Sequence, residues 1–141
     1  MSDTCWLELI FARKDLDKFN ELLKDEIWEG TFWDEDIGDE SIVHAIIHEA
    51  NRGWSIYIPP KFNSGLTFHG SHSAGGNYGP MAFACYKGDY ADVGSDVEGT
   101  PMIRVHKGGI DVQEYKWALK YYAILERIEN DPMFRTINAK Q

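Results

Sequence analysis

An α+β fold is predicted for this chain: a single domain with a mixed or antiparallel sheet of about five strands, two or three packed helices and a long C-terminal helix. Three observations predict it. Apolar residues alternate with period two near the N-terminus and through the middle of the chain. They recur at three- and four-residue steps over residues 16–24 and 112–130, and Gly, Pro and Asn clusters punctuate these runs. At 141 residues, 43% of them hydrophobic, the length suits one core, so 1–141 reads as one domain.

Cys5, Leu7, Leu9 and Phe11 alternate with Trp6, Glu8 and Ile10, which predicts a first strand with one strongly buried face. Asp15 is placed to cap a helix over residues 16–24, where Leu16, Phe19, Leu22 and Leu23 form one apolar stripe and Lys24 suits the negative end. After Gly30, Thr31, Phe32 and Trp33 suggest a short strand that runs into Asp34, Glu35 and Asp36. Residues 41–52 satisfy two periods. As a strand, Ile42 and Ile46 share a face with His44 and His48; as a helix, Ile42, Val43, Ile46, Ile47 and Ala50 make a continuous stripe. Asp39 as N-cap, Glu40 at the positive end and Gly53 past the last turn favour helix, which is the expectation.

Trp54, Ile56 and Ile58 alternate with Ser55 and Tyr57 until Pro59 and Pro60 end another strand. A Gly, Ser, Asn and His-rich connection is expected over 63–79. A hairpin of residues 81–86 and 89–93 follows, turning at Lys87 and Gly88, with a further strand over 101–106. Asp111 and Glu114 form a capping box, and Tyr115, Leu119, Tyr122, Leu125 and Ile128 carry a helix through 112–130. Trp117, Tyr121 and Ile124 add a second apolar flank. Burial on two sides is expected, the alternative being an aromatic patch left for a partner. The order of elements places the helices on one face of the sheet.

Charge divides the chain. Residues 25–51 hold nine acids, Asp25, Glu26, Glu29, Asp34, Glu35, Asp36, Asp39, Glu40 and Glu49, and no Lys or Arg. The remaining 14 of the 23 acids balance the 14 Lys and Arg, so the net charge of −9 resides in this segment. Such a field repels phosphates, which excludes direct nucleic-acid binding, and favours basic partners. Trp28, Phe32 and Trp33 add groups that supply binding energy when desolvated. The expected interaction is with a basic protein partner through Asp25, Glu26, Trp28, Glu29, Trp33, Asp34, Glu35 and Asp36, in the manner of a stoichiometric inhibitor, immunity or anti-defence protein. The competing reading is a solubilising face, with Asp39 and Glu40 serving only a helix start.

The second candidate is the stretch 68–79. His69, Ser71, His72, Asn77 and Tyr78 are the groups expected to bind a small ligand or position a proton transfer if the chain is an enzyme. Pro80 and a strand follow the glycines, where a phosphate-binding loop needs a Lys and a helix N-terminus. Phe68-His69-Gly70-Ser71 followed by Tyr78-Gly79 resembles the His-Gly-Ser strand with which ADP-ribosyltransferases hold nicotinamide adenine dinucleotide. The resemblance is confined to residues 68–79. Six residues, His72 to Asn77, stand where that family has a helix-containing segment, and no Glu is placed as its catalytic acid, so no cofactor is expected.

His44 and His48 would lie one turn apart on a helix, a spacing that can hold Zn²⁺. The order His-Ala-Ile-Ile-His-Glu lacks the Glu that acts as base after the first His of a metalloprotease, and no third ligand is local. Gly38 is one place early for a calcium loop, and Ala45 occupies its bidentate position. No metal is expected. The apolar run 6–12 is far shorter than the about 20 residues of a membrane-spanning helix, and no basic-then-apolar leader opens the sequence. Cys5 and Cys85 lie in strand-like runs that suit reduced, buried thiols. A cytoplasmic, non-enzymatic binding protein is the leading expectation.

Overall fold

The computed structural model describes residues 4–23, 34–36, 42–51, 65–74 and 79–132. Six strands form one sheet: β1 (Thr4–Ala12), β2 (Asp34–Asp36), β3 (Ile42–Asn51), β4 (Phe68–His72), β5 (Met81–Tyr86) and β6 (Asp89–Gly94). Their order is β2-β3-β1-β4-β5-β6, and every pairing is antiparallel. The α+β class holds, with an antiparallel sheet of about the size expected. The expected strands at 31–33 and 54–58 lie outside the described residues.

β1 is flanked by β3 and β4, and both of its faces are apolar, so each needs cover. On one face Leu7, Leu9 and Phe11 are fully buried, and Phe11 lies opposite Phe68 of β4. A single 3-10 turn (Arg13–Asp15) leads directly into α1 (Leu16–Leu23). Phe19 of that helix stacks on Phe11 with ring centroids 4.1 Å apart and meets Phe68 edge-on at 5.7 Å. Asp15 closes the 3-10 turn and immediately precedes α1, where the sequence places it.

On the opposite face of the sheet α2 (Val112–Glu129) lies over β5 and β6. Its Ala118, Tyr121, Ile124 and Ile128 pack with Ala12, Ile42, Ala82, Ala84, Ala91 and Val93 of the sheet. The alanines of β5 and β6 let the helix approach the strands closely. The helices therefore lie on opposite faces, which corrects the expectation of cover on one. The expected burial of α2 on two sides does not hold: Tyr121, Ile124 and Ile128 are buried, whereas Tyr115, Trp117, Leu119 and Tyr122 are exposed. Asp111 caps α2 by accepting the Glu114 amide at 2.9 Å. Glu114 does not close the capping box; its carboxylate accepts the Arg104 amide and the Arg104 Nε–H, each at 2.8 Å.

Residues 42–51 are a strand, not the expected helix. Ile42, Val43, Ile46 and Ile47 are β-branched, and the backbone of β3 is paired on both sides, with β1 and with β2. Those ladders outweigh the local capping signals at Asp39 and Gly53. The loop expected over 63–79 likewise contains strand β4, which joins β1 to β5.

The β5–β6 hairpin turns at Lys87 and Gly88 as expected, with φ of 50° and 90°, the left-handed pair of a two-residue hairpin turn. The strand expected over 101–106 reduces to a bridge between Ser95 and Pro101 and a small ribbon of β7 (Val105–His106) with β8 (Gly109–Ile110). Among the described residues no helix is long and apolar enough to cross a membrane.

Gly70 is required by the close approach of β4 to β1. A Cβ there would run into the Glu8 carbonyl oxygen and stand 3.1 Å from the Phe83 ring, whereas one at Gly94 meets nothing within 4 Å. Gly70→Ala is expected to cost about 1–3 kcal/mol through overpacking, and Gly94→Ala less than about 0.5 kcal/mol. Urea unfolding of the two variants checks this; equal losses would contradict it.

Candidate functional site

Among the described residues β2 is the outermost strand, its Asp34, Glu35 and Asp36 in register with Ile46, Ala45 and His44 of β3. Three consecutive acids on an edge strand oppose the addition of a further strand. They also place part of the acidic segment at one extremity of the sheet. Asp25, Glu26, Trp28, Glu29 and Trp33 lie outside the described residues. Because residues 42–51 form β3, Asp39 and Glu40 do not begin a helix there, and that structural explanation for them falls away.

The second candidate is divided by strand alternation. His69 and Ser71 lie on the α2 side of β4, while Phe68, Gly70 and His72 lie on the α1 side. His72 is buried, with Nδ1 2.8 Å from the Ser73 carbonyl oxygen. Asn77 and Tyr78 lie outside the described residues. His69, Ser71 and His72 therefore do not converge on one pocket. Their expected grouping assumed a loop, in which neighbouring side chains can turn to the same side.

His69 instead shares its face with Glu8 and His44. Ile10 lies between His44 on β3 and His69 on β4, and Ser71 lies opposite Glu8. His44 Nε2 and Glu8 Oε1 are 2.8 Å apart and partly exposed. Burial, aided by the neighbouring His44, pushes His69 down to about 4. At neutral pH His69 is thus an uncharged imidazole, suited to hydrogen bonding and not to delivering a proton. Glu8 was legible only as the one charge in an apolar strand; nothing in its spacing announced His44.

In a strand, His44 and His48 are separated by about 13 Å of backbone rise, too far to share an ion by the helical spacing considered for zinc. Among the described residues no group of three or more His, Cys, Asp or Glu is placed to hold a metal ion. Cys85 is buried, its Sγ–H donating to the Leu66 carbonyl at 3.4 Å, and burial raises its pKa, so the thiol form is favoured. Burial also raises the carboxyl of Asp92, against the lowering effect of the hydrogen bond it accepts from Tyr90 at 3.1 Å.

The chain matches no protein-family model, no curated protein and no solved structure.

The lowered His69 has a direct consequence for acid stability. Below the ordinary value of 6.5 the unfolded imidazole takes up a proton that folded His69 excludes until about pH 4, so stability falls as pH drops through that window. His72, lowered by burial, acts in the same direction; the raised Asp92 acts in the opposite one. His69→Leu is expected to flatten the loss between pH 6.5 and about 4. Urea midpoints of wild type and variant across this range test it, and parallel curves would refute the assignment to His69.

Proposed function

We propose that this chain is a non-enzymatic binding protein that engages a basic protein partner through the acidic segment around Asp34, Glu35 and Asp36, as an inhibitor or immunity-type protein does. One observation carries the reading: nine acids without an intervening Lys or Arg across residues 25–51, three of them on the outermost strand. Elsewhere several of the described acids meet bases of the same chain. Asp89 is held by Lys120 and Arg127, Glu114 by Arg104, and Asp111 by His106. The acidic rim is the part of the charge distribution that a partner of opposite sign would complete.

Carboxylates at a rim speed and orient encounter, and Trp28 and Trp33 are the proposed anchors that hold the docked partner. A cytoplasmic setting accords with the free thiol of Cys85. The small-ligand reading has weaker support, since His72 lies on the other face of the sheet from His69 and Ser71.

The test compares wild type with a triple variant, Asp34→Lys, Glu35→Lys and Asp36→Lys, in capture from the native host at low and moderate salt, followed by association kinetics with the protein recovered. Wild type is expected to retain a basic protein whose association slows with salt. The variant should associate at least about 10-fold more slowly and with a flatter salt dependence. Equal association rates would sink the proposal.

A further inference from the structure

α2 is apolar on two opposite faces. Ala118, Tyr121, Ile124 and Ile128 are buried against the sheet, whereas Val112, Tyr115, Leu119 and Tyr122 point away from it and are between 43% and 59% exposed. The exposed set has steps of three, four and three residues, the repeat along which one helix lays a narrow apolar seam against another. Tyr122 is braced by the edge of Tyr121, with ring centroids 5.3 Å apart. The ribbon immediately before the helix exposes Val105 and Ile110, which are paired across β7 and β8. These residues form one run of exposed apolar side chains along a helix face and the ribbon that leads into it, unlike apolar residues scattered singly over a surface.

Charge identifies the occupant. The helix carries Glu114, Glu126 and Glu129 against Lys116, Lys120 and Arg127, so it is neutral overall and unsuited to a strongly charged partner. The acidic rim at β2 and the strands beneath α2 are at opposite ends of the sheet. From β2 to β6 is five strand spacings, about 24 Å, more than twice the about 8–10 Å over which salt leaves charges visible to one another. Two copies that meet through α2 therefore keep their acidic rims apart.

The direction of pairing also follows. Glu126 continues the exposed stripe one heptad beyond Leu119, and Lys116 flanks its N-terminal half; Lys120 and Arg127 are drawn to Asp89. Parallel helices would set Glu126 against Glu126. Antiparallel helices set Lys116 beside Glu126 at both ends of the seam and oppose the two helix dipoles. We propose that the chain forms a two-fold symmetric homodimer in which α2 packs antiparallel on α2 of a second copy, through Val112, Tyr115, Leu119 and Tyr122. This rests on a different surface from the acidic rim and stands or falls separately from it.

Sedimentation equilibrium of the full chain tests the proposal. Wild type is expected to pass from 16.1 kDa to twice that mass between about 1 µM and about 1 mM. Leu119→Glu with Tyr122→Glu should raise the dissociation constant at least about 30-fold, with circular dichroism unchanged. Lys116→Glu and Glu126→Lys should each weaken the dimer, and the two together should restore it. The triple reversal at Asp34, Glu35 and Asp36 should dimerise like wild type. A 16.1 kDa species throughout the range would overturn the proposal and leave the stripe to a different protein. A dimer indifferent to the Leu119 and Tyr122 changes, or one not restored by the charge exchange, would overturn it as well.

Discussion

The double-sided burial of β1 is the constraint on which the rest of the structure depends. A strand with Leu7, Leu9 and Phe11 on one face and Ile10 and Ala12 on the other cannot sit at an edge or under a single layer without leaving apolar surface in water. It therefore takes β3 and β4 as neighbours, with α1 against one face, while Ile10 and Ala12 on the other join the cluster that α2 closes over β5 and β6. The Phe11, Phe19 and Phe68 stack anchors α1, and the alanine-lined surface of β5 and β6 receives α2. Gly70 belongs to the same constraint, because β4 approaches β1 where a side chain would collide with its backbone.

Much of this was legible in the sequence where local pattern and tertiary pairing agree. β1, the β5–β6 hairpin, α1 and the cap of α2 all follow from periodicity and turn chemistry, since the Leu, Phe, Gly and Asp residues concerned act on their immediate neighbours. Residues 42–51 were not legible in this way. Their apolar positions fit both periods, Asp39 and Gly53 signalled a helix, and the deciding interactions lie with β1 and with Asp34–Asp36, far away or unremarkable in sequence. In α2 the period was right but burial on two sides was not: two apolar stripes run along one helix, and only the position of the sheet distinguishes the one that is covered.

The candidate sites divide along the same line. Charge is additive along the chain, so the acidic segment was visible without any fold. Convergence of side chains is not additive. His69, Ser71 and His72 are near in sequence, yet a strand sends alternate residues to different environments, His69 beside His44 and Glu8 and His72 buried on the opposite face. The finding that Glu8 and His44 are paired, 36 residues apart, required the register of β1 against β3. The acidic rim and the exposed stripe of α2 then occupy separate parts of the molecule, so attraction of a partner and association through an apolar seam need not compete.

The central place of β1 also bears on the order in which the fold can be made. It precedes both of its neighbours in the chain, and β4, the second of them, ends only at His72. During synthesis β1 therefore waits with one backbone edge open until β3 is complete at Asn51 and the other until β4 is complete at His72. The β5–β6 hairpin and α2 can organise from near neighbours, but the strand they must finally shelter is completed by distant ones. For this chain the interval before β4 emerges is the period of greatest exposure to aggregation and to chaperones.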